Sequence, residues 1–365
     1  MMAACTAHGG PYAEPGINGY IDPLTWWHAN PQDHNAVLNP IFRGWATGCI
    51  QYSPSDTTWS GPWNDPNKAL GHATGQNFDI VSLGELTREE IESGKPAGQI
   101  TLVFGDPCNG GGEGVIRNGE GYDFVVFENG FISEITTAIT GSIAGQMLAE
   151  LGHVEVSSNG RDFARFPSVS LTPAGVGSYG TIEISNIHNL AGKHPNANGV
   201  CMGTPFDLDE LAGHPSVKAG LVDLDNIRYV RVVDVPGIGD FFDEARAYIN
   251  PSTWPSWQNY SENHTIYDQW PTWGSGGFDL EAIGVLNEQQ YPADINLDGI
   301  VDVFDLAIFA SAWQSHFGQS NWVGRCDLAR PRDLLINGLD FAVFASQWRH
   351  VERWRVEFSN MQDER

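Results

Sequence analysis

The sequence predicts a mainly β fold: a jelly-roll-like antiparallel β-sandwich followed by a small C-terminal α-helical module. Up to about residue 286, short runs rich in β-branched and aromatic residues alternate with clusters of Gly, Pro, Asn and Asp. Helical periodicity is rare over the same span. Beyond it, one helical pattern occurs twice, with Asp305 and Asp340 opening the two copies 35 residues apart. A sandwich with an appended helical repeat satisfies all three observations.

Six runs are predicted as strands because they combine β-forming residues with flanking turn residues. They are Ile100–Phe104, Tyr122–Phe127, Val154–Ser157, Ile182–Ile184, Ile227–Val233 and Phe278–Leu286. Asn159-Gly160 follows the third run and predicts a hairpin with a type I′ turn, since this dipeptide accepts positive φ values. Two stretches of the same region have a helical pattern, Thr87–Ser93 and Ile135–Leu151.

The chain of 365 residues carries 45 acidic side chains against 19 Lys and Arg, a formal charge of −26. Nucleic-acid binding depends on Lys and Arg patches, so we expect no nucleic-acid partner. No apolar run approaches the ~20 residues of a membrane helix, so we expect no membrane span. The excess of carboxylates raises the question of whether some of them hold cations.

A polar stretch near residue 287 separates two regions of different character. We predict a β-sandwich domain at 1–286, a linker at 287–292, a module at 293–350 and a tail at 351–365. The N-terminus has no charged segment and no apolar segment, so no intact signal peptide is present in this chain. Its small residues resemble the stump of one, which predicts a secreted or cell-surface protein of a bacterium. If Cys5 lies in a removed segment, the four remaining cysteines could form two disulfides.

The segment from Asp294 to Asp305 predicts a calcium loop. Its oxygen ligands fall at loop positions 1, 3, 5, 9 and 12, namely Asp294, Asn296, Asp298, Asp302 and Asp305. Gly299 permits the sharp turn at position 6, and the carbonyl of Ile300 supplies position 7. Calcium takes 6–8 oxygen ligands, and this spacing wraps a twelve-residue loop around the ion. We expect Val301 to pair with its counterpart in a second loop.

A second, looser loop precedes the second helical copy. Asp327 opens it, Asp333 and Asn337 stand for positions 5 and 9, and Asp340 closes it. The carbonyl of Leu335 stands for position 7. Two extra residues lengthen the start of this loop. The pair of loops predicts two calcium ions in the C-terminal module.

Residues 293–350 resemble the type I dockerin family, whose members carry two calcium loop–helix repeats. The resemblance implies attachment of a secreted protein to a cohesin scaffold, usually in polysaccharide breakdown. Dockerins often present a small hydroxyl pair at loop positions 10 and 11, where this chain has Val303-Phe304 and Gly338-Leu339. Packing of the module within its own chain is therefore an equal expectation beside a cohesin-like partner.

The larger region resembles exported cell-surface proteins of environmental bacteria, including PEP-CTERM-type proteins, a group with no established activity. The segments that carry the resemblance include NGEGYDFVVFENGF, VEVSSNGRDFARFPSVSLT, IRYVRVVDVPG and GSGGFDLEAIGVL. Some of them are also similar to jelly-roll carbohydrate-binding domains. The resemblance implies a fold rather than a function.

Glu128 and Asp279 lie in or at the end of predicted strands of this region. Such carboxylates can complete a third calcium site, act as an acid–base pair, or accept hydrogen bonds from loop amides. Glycoside hydrolysis requires two carboxylates about 5–9 Å apart. His188 and His194 lie six residues apart, and a turn at Gly192 would bring them together for metal or acid–base use. The alternative for both is a structural, hydrogen-bonded histidine.

A Pro-rich stretch contains a group of tryptophans that are candidates for ligand contact: Trp254, Trp257, Trp270 and Trp273. Aromatic faces stack on the apolar faces of sugar rings, although they also fill the space under long loops. Two functions remain open. One is a calcium-binding β-sandwich module that binds a glycan or a cell-surface partner. The other is a polysaccharide hydrolase or lyase, with Glu128 and His194 as candidate catalytic residues.

Overall fold

The computed structural model describes residues 10–55, 61–105, 115–248, 263–272, 276–289, 291–296, 298–329 and 333–351. The chain divides into two compact units, Met1–Phe104 with Ile116–Asn287, and Gly105–Val115 with Glu288–Arg365. The described strands are β1 Ile17–Asn18, β2 Tyr20–Ile21, β3 Val37–Leu38, β4 Gly44–Trp45, β5 Gly48–Ser53, β6 Val81–Ser82, β7 Gln99–Val103, β8 Val115–Ile116, β9 Phe124–Glu128, β10 Phe131–Ile132, β11 Met147–Leu148, β12 Gly152–Ser157, β13 Ala164–Arg165, β14 Val169–Ser170, β15 Ile187–His188, β16 Leu190–Ala191, β17 Met202–Phe206, β18 Tyr229–Asp234, β19 Asp279–Val285 and β20 Glu288–Gln289. The described α-helices are α1 Arg88–Glu92, α2 Pro215–Lys218, α3 Ala245–Tyr248, α4 Val303–Ala312 and α5 Gly338–Ser346.

Two antiparallel sheets form the first unit. One has the strand order β1-β17-β9-β19-β4, with β6 also paired to β19. The other has the order β13-β12-β18-β7-β5, with β16 also paired to β12. Apolar residues of both sheets form one buried cluster, in which Phe206 stacks on Phe124 at 5.3 Å and meets Phe166 at 5.0 Å. The mainly β, jelly-roll-like sandwich with a small helical C-terminal module is confirmed.

Five of the six predicted strands are present with shifted ends: β7, β9, β12, β18 and β19. The prediction at Ile182–Ile184 is wrong. Ile182 makes only an isolated bridge to Met147, and Ile184 begins a 3₁₀ turn. The Glu183 side chain accepts from the Ser185 N–H at 3.3 Å, and this local bond replaces a strand ladder.

The long helix predicted over Ile135–Leu151 is also wrong, whereas the predicted short helix is present as α1. Threonine side chains in this stretch accept from nearby backbone N–H groups, as Thr137 does from Ile139 at 3.2 Å. Gly141 and Gly145 have φ values of 78° and 88°, which a continuing helix cannot accommodate. The stretch therefore forms turns that lead into β11.

The hairpin at Asn159-Gly160 is confirmed, since β12 pairs with β13, but its turn is wider than predicted. Val156 pairs with Ala164, so the loop is too long for a two-residue turn. Gly160 has a φ of 73°, whereas Asn159 uses its side chain, which accepts from Arg161 N at 2.8 Å. Cys49, Cys201 and Cys326 are free thiols, so the four cysteines do not form the two disulfides that the sequence left possible.

The second unit is built around the two longer helices, α4 and α5. Phe309 and Phe344, one from each helix, meet at 5.4 Å between ring centroids within a small buried cluster. Each helix begins with a capping box, in which Asp302 or Asn337 caps the first turn. No helix among the described residues combines the length and apolar character that a membrane crossing requires.

Candidate functional sites

The first predicted calcium loop is closed by its last carboxylate. Asp305 is fully buried, and its Oδ1 accepts from the N–H groups of Ile295 and Asn296 at 2.7 and 2.9 Å. Its Oδ2 accepts from Asp302 N at 2.8 Å. Asp294 is also buried, and its Oδ2 accepts from Gly299 N at 2.9 Å. Positions 1 and 12 are thus joined to the backbone of the same loop.

The intervening side chains of this loop also accept hydrogen bonds from its backbone N–H groups. Asn296 Oδ1 accepts from Asp298 N at 3.0 Å, and Asp298 Oδ1 accepts from Ile300 N at 3.0 Å. Gly299 has a φ of 87°, the left-handed value expected at position 6. The loop therefore wraps around its own side-chain oxygens.

The second loop repeats this hydrogen-bonding pattern despite its different sequence. Asp340 Oδ1 accepts from Ala329 N, and Asp340 Oδ2 from Asn337 N, both at 2.8 Å. Asp327 Oδ2 accepts from Leu334 N at 3.1 Å, as Asp294 does from the glycine of the first loop. Leu334 takes the left-handed conformation, with a φ of 60°, where the first loop has glycine. The two extra residues at the start of the second loop therefore do not alter the hydrogen bonds at its end, which match those of the first loop.

Three carboxylates of the second loop converge. One oxygen from each of Asp327, Asp333 and Asp340 lies within 4.8 Å of the others, and among the described residues this is the one such group of metal-binding side chains. Asp327 and Asp340 are buried and Asp333 is exposed. Sequence alone favoured the first loop, because its spacing is regular, yet among the described residues it is the looser loop whose acids converge.

The two loops do not pair with each other, so the expectation for Val301 is wrong. Val301 N donates to His350 O, and Arg349 N donates to Val301 O, both at 2.9 Å. Its counterpart Ile336 instead donates to Ser315 O at 2.9 Å. Each loop is therefore bonded to the segment that follows the helix of the other repeat, and the two repeats interlock.

In the first unit, the structure brings the predicted Glu128 and Asp279 to one cavity of about 270 Å³. Both carboxylates are buried; Glu128 accepts from Gly130 N at 2.9 Å and Asp279 from Asn129 Nδ2 at 3.2 Å. Burial, and then the neighbouring charge of Asp279, raises the pKa of Glu128 well above its usual value. Glu150 lines the same cavity. The sequence analysis did not identify it as a candidate, because it lies in the stretch that was predicted to be a helix.

His188 and His194 have their ring nitrogens bonded within the protein. His188 Nδ1 lies 2.8 Å from Glu14 and its Nε2 3.1 Å from Glu210. Burial opposes the imidazolium, but these two hydrogen bonds raise the pKa of His188 to about 9. His194 bonds to the Thr204 hydroxyl at 3.1 Å, and burial followed by the charge of Lys193 lowers its pKa to about 4. These contacts favour a structural role for both histidines.

We expect His188→Gln to lower the free energy of unfolding by about 1–3 kcal/mol at pH 6 and by less at pH 10. The folded pKa is raised, so the contribution is complete below the unfolded value near 6.5 and is lost as the pH rises through about 9. Urea denaturation of both proteins at both pH values measures this. His34→Gln, at an exposed histidine, is the matched control. A loss that is equal at the two pH values would contradict the ion-pair assignment.

Among the candidate tryptophans, Trp254, Trp257 and Trp273 lie outside the described residues. Trp270 is half-buried, and its indole Nε1 donates to Leu86 O at 3.1 Å. The guanidinium of Arg88 lies 5.8 Å from its ring centroid. Trp270 is therefore engaged by its own chain on both its edge and its face.

A groove that the sequence analysis did not identify lies on the first unit. It has a volume of about 660 Å³ and is lined by Asn30, Gln32, Gly75, Gln76, Asn77, Phe78, Asp79, Asn198 and Gly199. Phe78 is 72% exposed, and its ring lies 6.4 Å from that of Trp63. Amide side chains and one exposed aromatic ring dominate the groove. Three separate segments contribute to it, so no local motif could reveal it.

Asn77 and Phe78 also line the acidic cavity of Glu128, so the groove and the cavity share part of their walls. Comparisons with protein-family models and with curated proteins find no match to this chain.

Proposed function

We propose that this is an exported calcium-binding protein whose paired loops each hold one calcium ion. The observation that carries the proposal is the common hydrogen-bonding pattern of the two loops. In each loop the carboxylate at position 12 accepts from the N–H at position 9 and from the start of the loop. The carboxylate at position 1 accepts from the N–H at position 6 in both. Two sequences that differ in length and composition thus support one geometry.

The donor sets suit a hard cation. The first loop offers Asp294, Asn296, Asp298, Asp302, Asp305 and the Ile300 carbonyl, and the second offers Asp327, Asp333, Asn337, Asp340 and the Leu335 carbonyl. All are oxygen donors, which calcium prefers, and none is a thiolate or an imidazole. When bound, calcium would neutralise the buried carboxylates at positions 1 and 12.

We propose further that the dockerin-like unit serves either docking to a cohesin-like scaffold or stabilisation of its own chain. Phe304 and Leu339 occupy position 11 of the two repeats and are 64% and 63% exposed. The repeat therefore presents two similar apolar side chains at equivalent places. This arrangement supports a role in contact with another surface, with apolar contacts in place of the hydroxyl pair of dockerins.

For the β-sandwich we propose glycan binding in the groove around Phe78. The exposed ring offers a stacking face for a sugar, and the surrounding amides offer donors and acceptors for its hydroxyls. The resemblance of the C-terminal module to dockerins, which usually act in polysaccharide breakdown, supports a polysaccharide as the ligand. The groove is open and polar, as expected of a site for a hydrophilic chain.

Phe78→Ala is expected to weaken binding to a responsive polysaccharide by about tenfold, equivalent to roughly 1.4 kcal/mol. Affinity electrophoresis against a panel of insoluble and soluble polysaccharides identifies the ligand and measures the loss. Phe242→Ala, at a ring outside the groove that is 55% exposed, is the control. Binding that survives Phe78→Ala unchanged would rule out the groove as the site.

A polysaccharide hydrolase or lyase is the second candidate, because Glu128 has a raised pKa and lines a cavity next to the groove. Release of new sugar ends from a bound polysaccharide, lost in Glu128→Gln, would favour it. Binding is the stronger proposal, since Glu128 is 2% exposed and already accepts a backbone hydrogen bond.

A further inference from the structure

Six acidic side chains from separate segments meet inside the first unit. They are Glu85, Glu128, Glu150, Asp234, Asp268 and Asp279, of which Glu128 and the three aspartates are only 2% exposed. Glu128 and Asp279 belong to neighbouring strands, since Leu280 lies opposite Glu128 in the ladder. With Glu150, they line the cavity described above. These three carboxylates therefore line one cavity.

Asp234 and Glu85 are held against the turn that precedes β19. Asp234 Oδ1 accepts from Phe278 N at 2.8 Å. Thr272 links this turn to the other acid, because its hydroxyl accepts from Gly277 N at 3.1 Å and donates to Glu85 at 2.9 Å. The two carboxylates are therefore fixed by the backbone and one hydroxyl next to Asp279.

Asp268 completes the group from the other side. Its Oδ2 accepts from the N–H of Leu151 at 2.7 Å, the residue directly after Glu150. A side chain at position 237 would place its Cβ 1.7 Å from Asp268 Oδ1, so Gly237 leaves the space that this carboxylate fills. The Asp268 carboxylate therefore packs directly against the backbone at this glycine.

Five carboxylates of this group have no cationic partner among the described residues. Among the described residues, no Lys, Arg or His makes an ion pair with Glu85, Glu128, Glu150, Asp234 or Asp268. Several ionised carboxylates buried together would be strongly unfavourable without a counter-ion.

One oxygen within the group points specifically to a missing partner. Asp234 Oδ2 is buried and has no hydrogen-bond partner among the described residues. Its carboxylate lies near Glu85 and Asp279, whose charges, after burial, raise its pKa well above the usual value. A buried carboxylate oxygen without a donor is costly, and a cation would satisfy it.

We propose that these carboxylates form a divalent-cation site in the core of the β-sandwich, suited to calcium by its all-oxygen donors. Asp234, Asp279 and Glu128 supply its first ligands, with Glu150, Asp268 and Glu85 around them. These carboxylates close around the ion on binding, because no three of the six place oxygens within 4.8 Å of one another in this structure. Calcium accepts a large, irregular set of oxygen ligands, which matches carboxylates gathered from several loops and strand ends. The site is separate from the paired loops and does not depend on their function.

Equilibrium dialysis of the full chain with radioactive calcium tests the site. The variant with Asp294→Ala, Asp305→Ala, Asp327→Ala and Asp340→Ala removes the end ligands of both loops. It is expected to retain about one calcium ion per chain, against about three in the unsubstituted protein. Failure of the loop proposal would appear differently, as about one ion in both proteins. No calcium in the loop variant would overturn the core site.

Adding Glu128→Gln and Asp234→Asn to the loop variant is expected to weaken the remaining binding by about tenfold or more. Asp123→Asn is the matched control, since Asp123 is equally buried and accepts from Leu208 N at 2.7 Å outside the group. Circular dichroism verifies the fold of each variant. Calcium bound with unchanged affinity after the two core substitutions would overturn the assignment of the ligands.

Terbium luminescence gives a test that leaves the carboxylates intact. The indole of Trp270 donates to Leu86 O, directly after Glu85, so it lies close enough to excite terbium bound in the group. In the loop variant, Trp270→Phe is expected to reduce the sensitised emission severalfold while the number of bound ions stays the same. Unchanged emission would contradict the position of the site.

Discussion

Removal of calcium with EDTA is expected to lower the melting temperature of the C-terminal unit more than any other change of solution conditions near neutral pH. Without the ion, Asp305 and Asp340 remain fully buried beside other acids of their loops. A ligand present at about a thousand times its Kd stabilises the folded state by about 4 kcal/mol per site. Differential scanning calorimetry in excess calcium and in excess EDTA measures the difference.

The substitutions Asp298→Ala and Asp305→Ala together should reproduce the effect of EDTA at the first loop. The double variant is expected to melt early in calcium and to respond less to chelation. Asp240→Ala removes an exposed carboxylate of the first unit and should leave the response unchanged. A melting curve that EDTA does not move in the unsubstituted protein would contradict calcium binding by the loops.

Phe206→Ala is expected to destabilise the β-sandwich by about 3–5 kcal/mol. The side chain is fully buried, and it lies between Phe124 of its own sheet and Phe166 next to the other sheet. Its removal leaves a cavity that both sheets would have to close. Urea denaturation followed by tryptophan fluorescence measures the loss.

Phe242→Ala provides the comparison, since this ring is 55% exposed and should cost less than about 1 kcal/mol. A similar loss from the two substitutions would show that Phe206 does not join the sheets as described.

The strands of the core could be predicted because each is a local run of β-forming residues between turn residues. The errors arose where side chains bond to nearby backbone. Thr137 and two left-handed glycines convert an apparent helix into turns, and Glu183 caps a 3₁₀ turn where a strand was expected. Such bonds depend on the conformation itself, and composition does not reveal them.

The candidate sites also differ in how far the sequence alone could predict them. The ligand pattern of the calcium loops lies within one short segment, so spacing alone points to it. The acidic group of the β-sandwich draws Asp234 and Asp268 from distant positions in the sequence, and the groove draws Asn30, Phe78 and Asn198 from three distant segments. Only the tertiary fold brings these residues together.

A crystal structure of the full chain grown with terbium, with the metal located by anomalous scattering, tests calcium binding by the paired loops most directly. We predict one peak in each loop, at about 2.3–2.6 Å from carboxylate oxygens at positions 1 and 12. These are Asp294 and Asp305 in the first loop and Asp327 and Asp340 in the second. Two folded loops without a metal peak would contradict the account.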